Sequence, residues 1–586
     1  MCRALLMALL MPLAAHAFNH TDTVAPIAAG KFSVACTNIE QNTSLIASGA
    51  SASDYWEGRN GHYVTDLMLN PTPVTDFFVP VPENRSLYVN HHGGTVPFAA
   101  IICYPTTASN TDPNYTLPGS GDVIPHMQPA GQAPKFLTVG EYYQTLGLES
   151  PFSELNGFTA TLPTIVFSHG LTGSPISTGY VTVLVQLAAQ GFIVAGVFHG
   201  DPRFSIVRIE TVSDAIYLIA NFGEVVELEA LRPLSLKVML DKLLADPDFG
   251  KAISTTQIGG FGASMGGAAM TYLAGGWMST TIGAHCDEPV HDPRISAFAG
   301  YVPWAGYSFL PAYCSDESGA AFVNKPYLAM SGTADTTAPL PQMKEAVNNF
   351  TNTRYMVELQ DGQHELRPQD APMVMTWIVT YFNTYLHTAY SPAFGQLAKM
   401  NNVSGPGRVT NMTVDVHIPF PNSGSELTVQ ELYNPVLNHY YYTMDASDAA
   451  RLTTSPYSSW TATGNGFKAW PSAYITGGNQ WTLSPVCRFD LAGRAGAGFS
   501  FFSASQSDCD MLKTNRGWNY YGTAWWAVPV DANLRCPDGF IGVNRAYNNG
   551  AARFDSNHRY STSDSIMREM QRDGWSYEAT VMCSQP

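Results

Sequence analysis

The chain has 586 residues, of which 45% are hydrophobic and 13% charged. That length implies two or three domains, and that composition supports well-buried cores and argues against disorder. The formal net charge of −17 weighs against nucleic acid and anionic membrane surfaces as partners, and leaves a neutral substrate open.

Residues 1–17 read as a secretory signal: Arg3 supplies the positive start, Ala4 to Ala14 the apolar stretch, and Ala15-His16-Ala17 an A-x-A cleavage site. The stretch is too short to span a bilayer. Cleavage after Ala17 removes Cys2 and leaves eight cysteines, an even number that in an exported chain predicts up to four disulfides and an extracellular or periplasmic location. Residues 18–160 are rich in Pro, Thr, Ser and Asn and read as short strands and loops, with one strand at Val96 to Tyr104.

From Leu162 the texture changes. Strand-like runs at Thr164 to Ser168, Phe192 to Phe198, Thr255 to Phe261, Ile295 to Val302, Tyr327 to Ser331 and Tyr355 to Leu359 alternate with helical runs. The helical runs include Tyr180 to Gln190, Leu234 to Leu244, Gly267 to Ala274 and Ala371 to Leu386. This alternation predicts an α/β fold with a mostly parallel sheet and helices on both faces. It spans residues 18–402, with 18–95 as a strand and loop extension. The Pro, Gly, Ser and Asn content of 403–428 predicts a linker.

Residues 429–586 hold seven of the eleven tryptophans and repeat with a period of about 58 residues. Asn438-His439-Tyr440-Tyr441-Tyr442-Thr443 returns as Asn557-His558-Arg559-Tyr560-Ser561-Thr562, with a degenerate middle copy at Phe499-Ser500-Phe501-Phe502-Ser503. Trp460, Trp518 and Trp575 follow the three copies. The pattern predicts a pseudo-threefold module, mostly β with short helices. Its periodic aromatic residues fit a repeated core better than a binding stripe. Cys487 and Cys509 fall in the middle copy, and Cys536 and Cys583 bracket the third, so each pair is placed to close a local loop. The pairing of the other four stays open, with Cys36–Cys103 and Cys286–Cys314 as one candidate arrangement.

The chemistry centres on Gly262-Ala263-Ser264-Met265-Gly266, a G-x-S-x-G pentapeptide between a predicted strand and a predicted helix. In that context the serine sits on a tight, strained turn with its hydroxyl exposed at the strand end. A serine hydroxyl is a weak nucleophile until a histidine takes its proton and a carboxylate orients that histidine. Asp335, in the Gly332-Thr333-Ala334-Asp335 loop after one strand, fits the acid. His364, in the Gly362-Gln363-His364 loop after the next, fits the base; His285, His291 and His387 lack that placement. The backbone amide of Met265 is one expected oxyanion donor. The second is the Leu171 amide in the His169-Gly170-Leu171-Thr172-Gly173 loop, where His169 reads as a structural support.

These motifs together resemble the α/β-hydrolase superfamily, in particular secreted bacterial esterases similar to dienelactone hydrolases and platelet-activating-factor acetylhydrolases. The resemblance covers roughly residues 80–390. It takes in Val96-Pro97-Phe98, Val197-Phe198-His199-Gly200-Asp201 and Arg232-Pro233-Leu234 as well as the loops above. It implies a serine carboxylic-ester hydrolase working through an acyl-enzyme, because the nucleophile is serine where dienelactone hydrolases carry cysteine. The repeat module is similar to one appended to various secreted bacterial proteins. The expected substrate is a small-molecule, lipid or polymeric ester, with residues 429–586 as a candidate attachment to an insoluble surface. The chain is expected to be a monomer, to need no cofactor or metal, and to bind no nucleic acid. Two other readings stay open: a serine peptidase or amidase on the same residues, and a non-catalytic surface-binding protein with a hydrolase-like shell.

Overall fold

A computed structural model describes residues 20–147, 156–177, 179–207, 212–281, 285–308, 310–315, 317–386, 396–397, 400–415, 426–454, 459–470, 483–491, 498–515, 517–531 and 533–586. The signal segment expected at 1–17 and the competing histidine at 387 lie outside them. The chain divides into two compact units. One comprises Ala25–Ser391 and Asn402–Ser423; the other comprises Met1–Val24, Pro392–Asn401 and Gly424–Pro586.

The first unit is built on a ten-stranded sheet. Its strands are β1 (Ser33–Cys36), β2 (Asp76–Pro80), β3 (Thr95–Thr106), β4 (Leu162–Ser168), β5 (Ile193–Phe198), β6 (Ile253–Ala263), β7 (Ile295–Tyr301), β8 (Tyr327–Gly332), β9 (Arg354–Leu359) and β10 (Val409–Asp415). The order is β10-β9-β8-β7-β6-β4-β5-β3-β1, with β2 also paired to β3. The six strands from β9 to β5 run parallel, while β1, β2, β3 and β10 pair antiparallel. Every residue of β4, β5 and β8 is buried, as expected for strands covered on both faces. Each Val, Ile or Phe sequestered in this way contributes about 1.5–3 kcal/mol.

Six helices matter for the site: α1 (Tyr180–Ala189), α2 (Val212–Ala220), α3 (Phe222–Ala245), α4 (Met265–Leu273), α5 (Leu340–Asn349) and α6 (Ala371–Tyr385). Helix α3 begins twelve residues before the predicted start at Leu234, because Pro233 lies inside it and not at its beginning. Pro233 removes one N–H from the ladder, and the buried residues that continue on both sides of it hold the helix together.

The stretch expected as a linker contains a strand. β10 pairs with β9 from Asp415↔Arg354 to Val409↔Leu359, and Asn411 Nδ2 donates to Glu358 Oε1 at 2.7 Å. An edge strand takes its hydrogen bonds from one neighbour far away in the chain, so local composition does not announce it.

In the second unit three copies of one motif follow each other. The first is β11 (Leu427–Asn434), β12 (His439–Thr443), α7 (Ala446–Thr454) and β13 (Thr461–Ala469). The second is β14 (Ser484–Leu491), β15 (Ser500–Ser503), α8 (Gln506–Thr514) and β16 (Trp518–Ala527). The third is β17 (Ile541–Tyr547), β18 (His558–Ser561), α9 (Asp564–Arg572) and β19 (Ser576–Ser584). Each forms a three-stranded antiparallel sheet with its first strand in the middle. Tyr442, Phe502 and Tyr560, one from each copy, meet at ring distances of 5.2–6.2 Å. All three are buried, and Tyr560 Oη donates to the Phe502 carbonyl at 2.8 Å. The periodic aromatic residues at these positions are the repeated core.

The disulfides are Cys36–Cys103, Cys286–Cys314, Cys487–Cys509 and Cys536–Cys583. Four of them point to an oxidising, extracellular environment. No helix among the described residues is long and apolar enough to cross a membrane.

Candidate active site

The sheet order reverses around β4. The chain steps from β4 to β5 on one side, then returns to place β6 on the other. A crevice opens at the carboxyl ends of the strands at such a reversal. The loop after β4 and the turn after β6 therefore face each other there.

The turn after β6 is Ser264, with φ 55° and ψ −123°. Its neighbours must be glycine: a Cβ on Gly262 would lie 2.1 Å from the Gly266 carbonyl oxygen, and one on Gly266 2.0 Å from that of Ser168. Backbone hydrogen bonds pin the turn, with Ala268 N donating to Ser264 O at 3.2 Å among them. Ser264 N donates to Tyr301 O at 3.0 Å, and Ser264 O accepts from Gly267 N at 2.8 Å and Trp304 N at 3.0 Å. A strained φ of this kind persists only where the surroundings over-determine it.

The loops after β8 and β9 bring the other two predicted residues to the same place. His364 Nε2 lies 3.0 Å from Ser264 Oγ, and His364 Nδ1 lies 2.9 Å from Asp335 Oδ2. Asp335 is fully shielded, while the imidazole keeps 22% exposure toward the crevice. Asp335 Oδ1 accepts from Thr337 N at 2.8 Å and Ala338 N at 2.9 Å, so the carboxylate is held from two sides. With Oδ2 accepting from Nδ1–H, the tautomer leaves Nε2 free to accept from the serine hydroxyl. His291 instead pairs with Glu288.

The loop after β4 packs against this turn, so that a Cβ on Gly170 would lie 3.5 Å from Ser264 Cβ. Its orientation is set from behind. The buried Arg232 of α3 donates to His169 O at 2.6 Å and Gly170 O at 3.2 Å, and grips Asp201 through Nε at 3.1 Å and Nη2 at 2.5 Å. Asp201 Oδ2 also accepts from Thr172 N at 2.9 Å, and His169 Nδ1 donates to Gly170 O at 2.7 Å. The Gly170 carbonyl is thus turned toward Arg232. In a trans peptide the next N–H points the opposite way, which aims the Leu171 amide away from Arg232. Among the described residues the Leu171 and Met265 amides donate to no acceptor of the chain. Met265 is the first residue of α4, where helix amides have no internal partner and the dipole is positive.

His169 accepts from His199 N at 3.1 Å through Nε2 and lies wholly buried. Burial, reinforced by the Arg232 charge, lowers its imidazole to about 4. Burial and Arg232 likewise push His199 well below the ordinary histidine range. Both are neutral struts of the loop at physiological pH. Asp201 and Arg232 received no role from the sequence motifs. The signal in the sequence was their place in the Val197 to Asp201 and Arg232 to Leu234 stretches, which assigned neither of them a role.

Ser264, Met265, Leu171 and His364 open onto one cavity of about 880 Å³. Its walls come from α1 (Tyr180, Val183), α3 (Phe222, Val225), the segment after β7 (Trp304, Tyr307) and α6 (Met375, Ile378). Val207, Val226 and Glu229 also line it, whereas the N-terminal loops contribute no lining residue among the described residues. They reach the loop after β5 and helix α3 instead: Tyr63 Oη donates to the Phe198 carbonyl, and His91 N donates to Glu227 Oε1 at 2.8 Å.

Two family models match the chain. That of platelet-activating factor acetylhydrolase, isoform II, matches residues 131–213, which include the Leu171 loop. A domain of unknown function, DUF5648, matches residues 428–585. No curated protein matches. The first match supports a relationship to the platelet-activating-factor acetylhydrolase and α/β-hydrolase type, and the mixed α/β fold with its largely parallel sheet is compatible with it.

Proposed function

We propose that this chain is a secreted serine carboxylic-ester hydrolase. One observation carries the reading: the hydrogen-bonded series Ser264–His364–Asp335, with links of 3.0 and 2.9 Å, at the mouth of a mostly apolar cavity. The match to an acetylhydrolase family over residues 131–213 supports hydrolysis of the lipase or esterase type.

Ser264 Oγ attacks the acyl carbonyl as His364 Nε2 takes its proton, and Asp335 stabilises the imidazolium. The oxyanion is received by the Leu171 and Met265 amides, each worth roughly 3–4 kcal/mol in the transition state. His364 then protonates the departing alcohol, and water, activated by the same imidazole, releases the acid. The apolar walls suit an alkyl or lipid chain. Helix α2 also exposes Ile216 and Ile219, 63% and 64% accessible, beside the cavity wall at Phe222, which suits an ester presented by a lipid or polymer. Attachment to an insoluble substrate through residues 429–586 would rest on exposed residues such as Val436 and Phe554, since the repeated aromatics are buried.

The test is hydrolysis of a chromogenic short-chain ester beside a matched peptide amide. Ser264→Ala should lower kcat on the ester by a factor on the order of 10⁶. Equal activity in the variant rejects the mechanism, and faster cleavage of the amide makes the protein a peptidase.

A further inference from the structure

Helix α3 presents Phe222, Val225, Val226 and Glu229 to the cavity that holds Ser264. Their spacing is that of one helical stripe, so Glu229 stands where a fourth apolar side chain belongs. Among the described residues its one side-chain hydrogen bond is from Tyr272 Oη to Oε2, at 3.1 Å. Arg232, nearly one turn further on, directs its donors to Asp201, Ser168 Oγ and the carbonyls of His169 and Gly170. Among the described residues Glu229 has no ion-pair partner and its Oε1 accepts from none. The residue is half-buried and is among those that line the cavity.

A half-satisfied carboxyl in an apolar wall is costly unless a ligand completes its hydrogen bonding. Burial is the main reason that its acid form persists up to about 7, with the Tyr272 bond and Arg232 opposing and Asp201 adding to the effect. Near neutrality the group therefore offers both a donor and an acceptor form. A ligand hydroxyl, which can donate and accept, pairs with either form. An ammonium pairs only with the carboxylate, and an alkyl chain leaves Oε1 stranded once it displaces water.

We propose that Glu229 is a specificity-determining residue of this site and that the substrate acyl chain it selects carries a hydroxyl group, making the substrate class a hydroxyalkanoyl ester. The proposal rests on the hydrolase reading above. Discrimination by a hydrogen bond to a partly open site is expected to be on the order of 10–100-fold, below that of a fully enclosed one.

The experiment measures kcat/KM by pH-stat for ethyl hexanoate, for its derivatives hydroxylated at each acyl carbon from the third to the last, and for the terminal amino analogue. The full chain and its Glu229→Leu, Glu229→Gln and Ser264→Ala variants are compared. At least one hydroxylated ester should exceed ethyl hexanoate by about 10–100-fold in the native protein. That ratio should fall to near 1 in Glu229→Leu and persist within a few-fold in Glu229→Gln, whose amide also donates and accepts. If Glu229→Leu fails to fold because Tyr272 Oη loses its partner, Glu229→Leu with Tyr272→Phe removes both groups and reads the same ratio. Absence of a hydroxyl preference, its survival in Glu229→Leu, or a larger preference for the amino ester overturns the proposal. Hydrolysis that survives Ser264→Ala overturns the hydrolase reading instead, whereas Ser264-dependent hydrolysis without discrimination overturns the Glu229 subsite alone.

Discussion

Replacing Asp335 by Asn isolates what the carboxylate does from what its shape does. The new side-chain amide would keep a carbonyl oxygen to accept from Thr337 N and Ala338 N, now at 2.8 and 2.9 Å from Oδ1. Its NH₂ would then face His364 Nδ1, 2.9 Å away from the present Oδ2. A donor there forces the proton onto Nε2, the nitrogen 3.0 Å from Ser264 Oγ, and the imidazole can no longer accept the hydroxyl proton. Loss of the correct tautomer and of the charge opposite the imidazolium costs about 10⁴ in kcat, or roughly 5 kcal/mol of barrier. Stability should change by only about 1–2 kcal/mol, because both backbone bonds survive in neutral form. Asp335→Ala supplies the contrast: it strands the buried Ala338 amide as well, and should melt earlier than Asp335→Asn. Stopped-assay kinetics on a p-nitrophenyl ester and melting curves read the two effects separately. A kcat for Asp335→Asn within tenfold of the native value would refute the assigned roles of Asp335 and His364.

Arg232→Lys should lower kcat by about 10²-fold with little change in KM, since a point charge cannot hold Asp201 and two loop carbonyls at once and the Leu171 donor acts only in the transition state; a kcat within threefold of native in initial-rate assays would contradict the loop argument. Glu229 ionises at about 7 when folded and near 4.5 in an unfolded chain. The stability it confers is complete below 4.5 and is lost as pH rises through 7. His169, lowered to about 4 from 6.5, works the other way, its contribution being lost as pH falls from 6.5. Glu229→Gln has nothing to ionise there, so its melting temperature should gain on the native protein between pH 4.5 and 7 and hold that gain above; parallel calorimetric curves would remove the burial argument. Truncation after residue 423 should leave hydrolysis of a soluble ester intact, whereas truncation at 405 strips β10 from β9 and the Arg408 carbonyl from Gln360 N, four residues before His364, and should abolish it. Equal activity of the two truncations would show that β10 does not support the histidine loop.

The residues around Ser264 were legible along the chain because their constraint is local. A strand that turns within one residue into a helix needs Gly262 and Gly266 to let backbone approach backbone, and the pentapeptide records that need. Asp335 and His364 were legible as strand-end residues in the right order, since in a parallel sheet the carboxyl ends of successive strands share one edge. The three aromatic repeats announced a module with a repeated core, because one aromatic ring of each copy meets those of the other two. What only the tertiary structure decided depends on partners remote in sequence. Val409–Asp415 is a strand because Arg354–Leu359 offers it hydrogen bonds. Arg232 and Asp201 became supports of the Leu171 loop because a helix and a strand end, remote from each other in sequence, converge beneath it. Glu229 acquires its setting only when folding turns its helix stripe into a cavity wall. Motifs record the demands a residue places on its chain neighbours, whereas burial, pairing and the shape of a cavity are set by side chains that meet only once the sheet has formed.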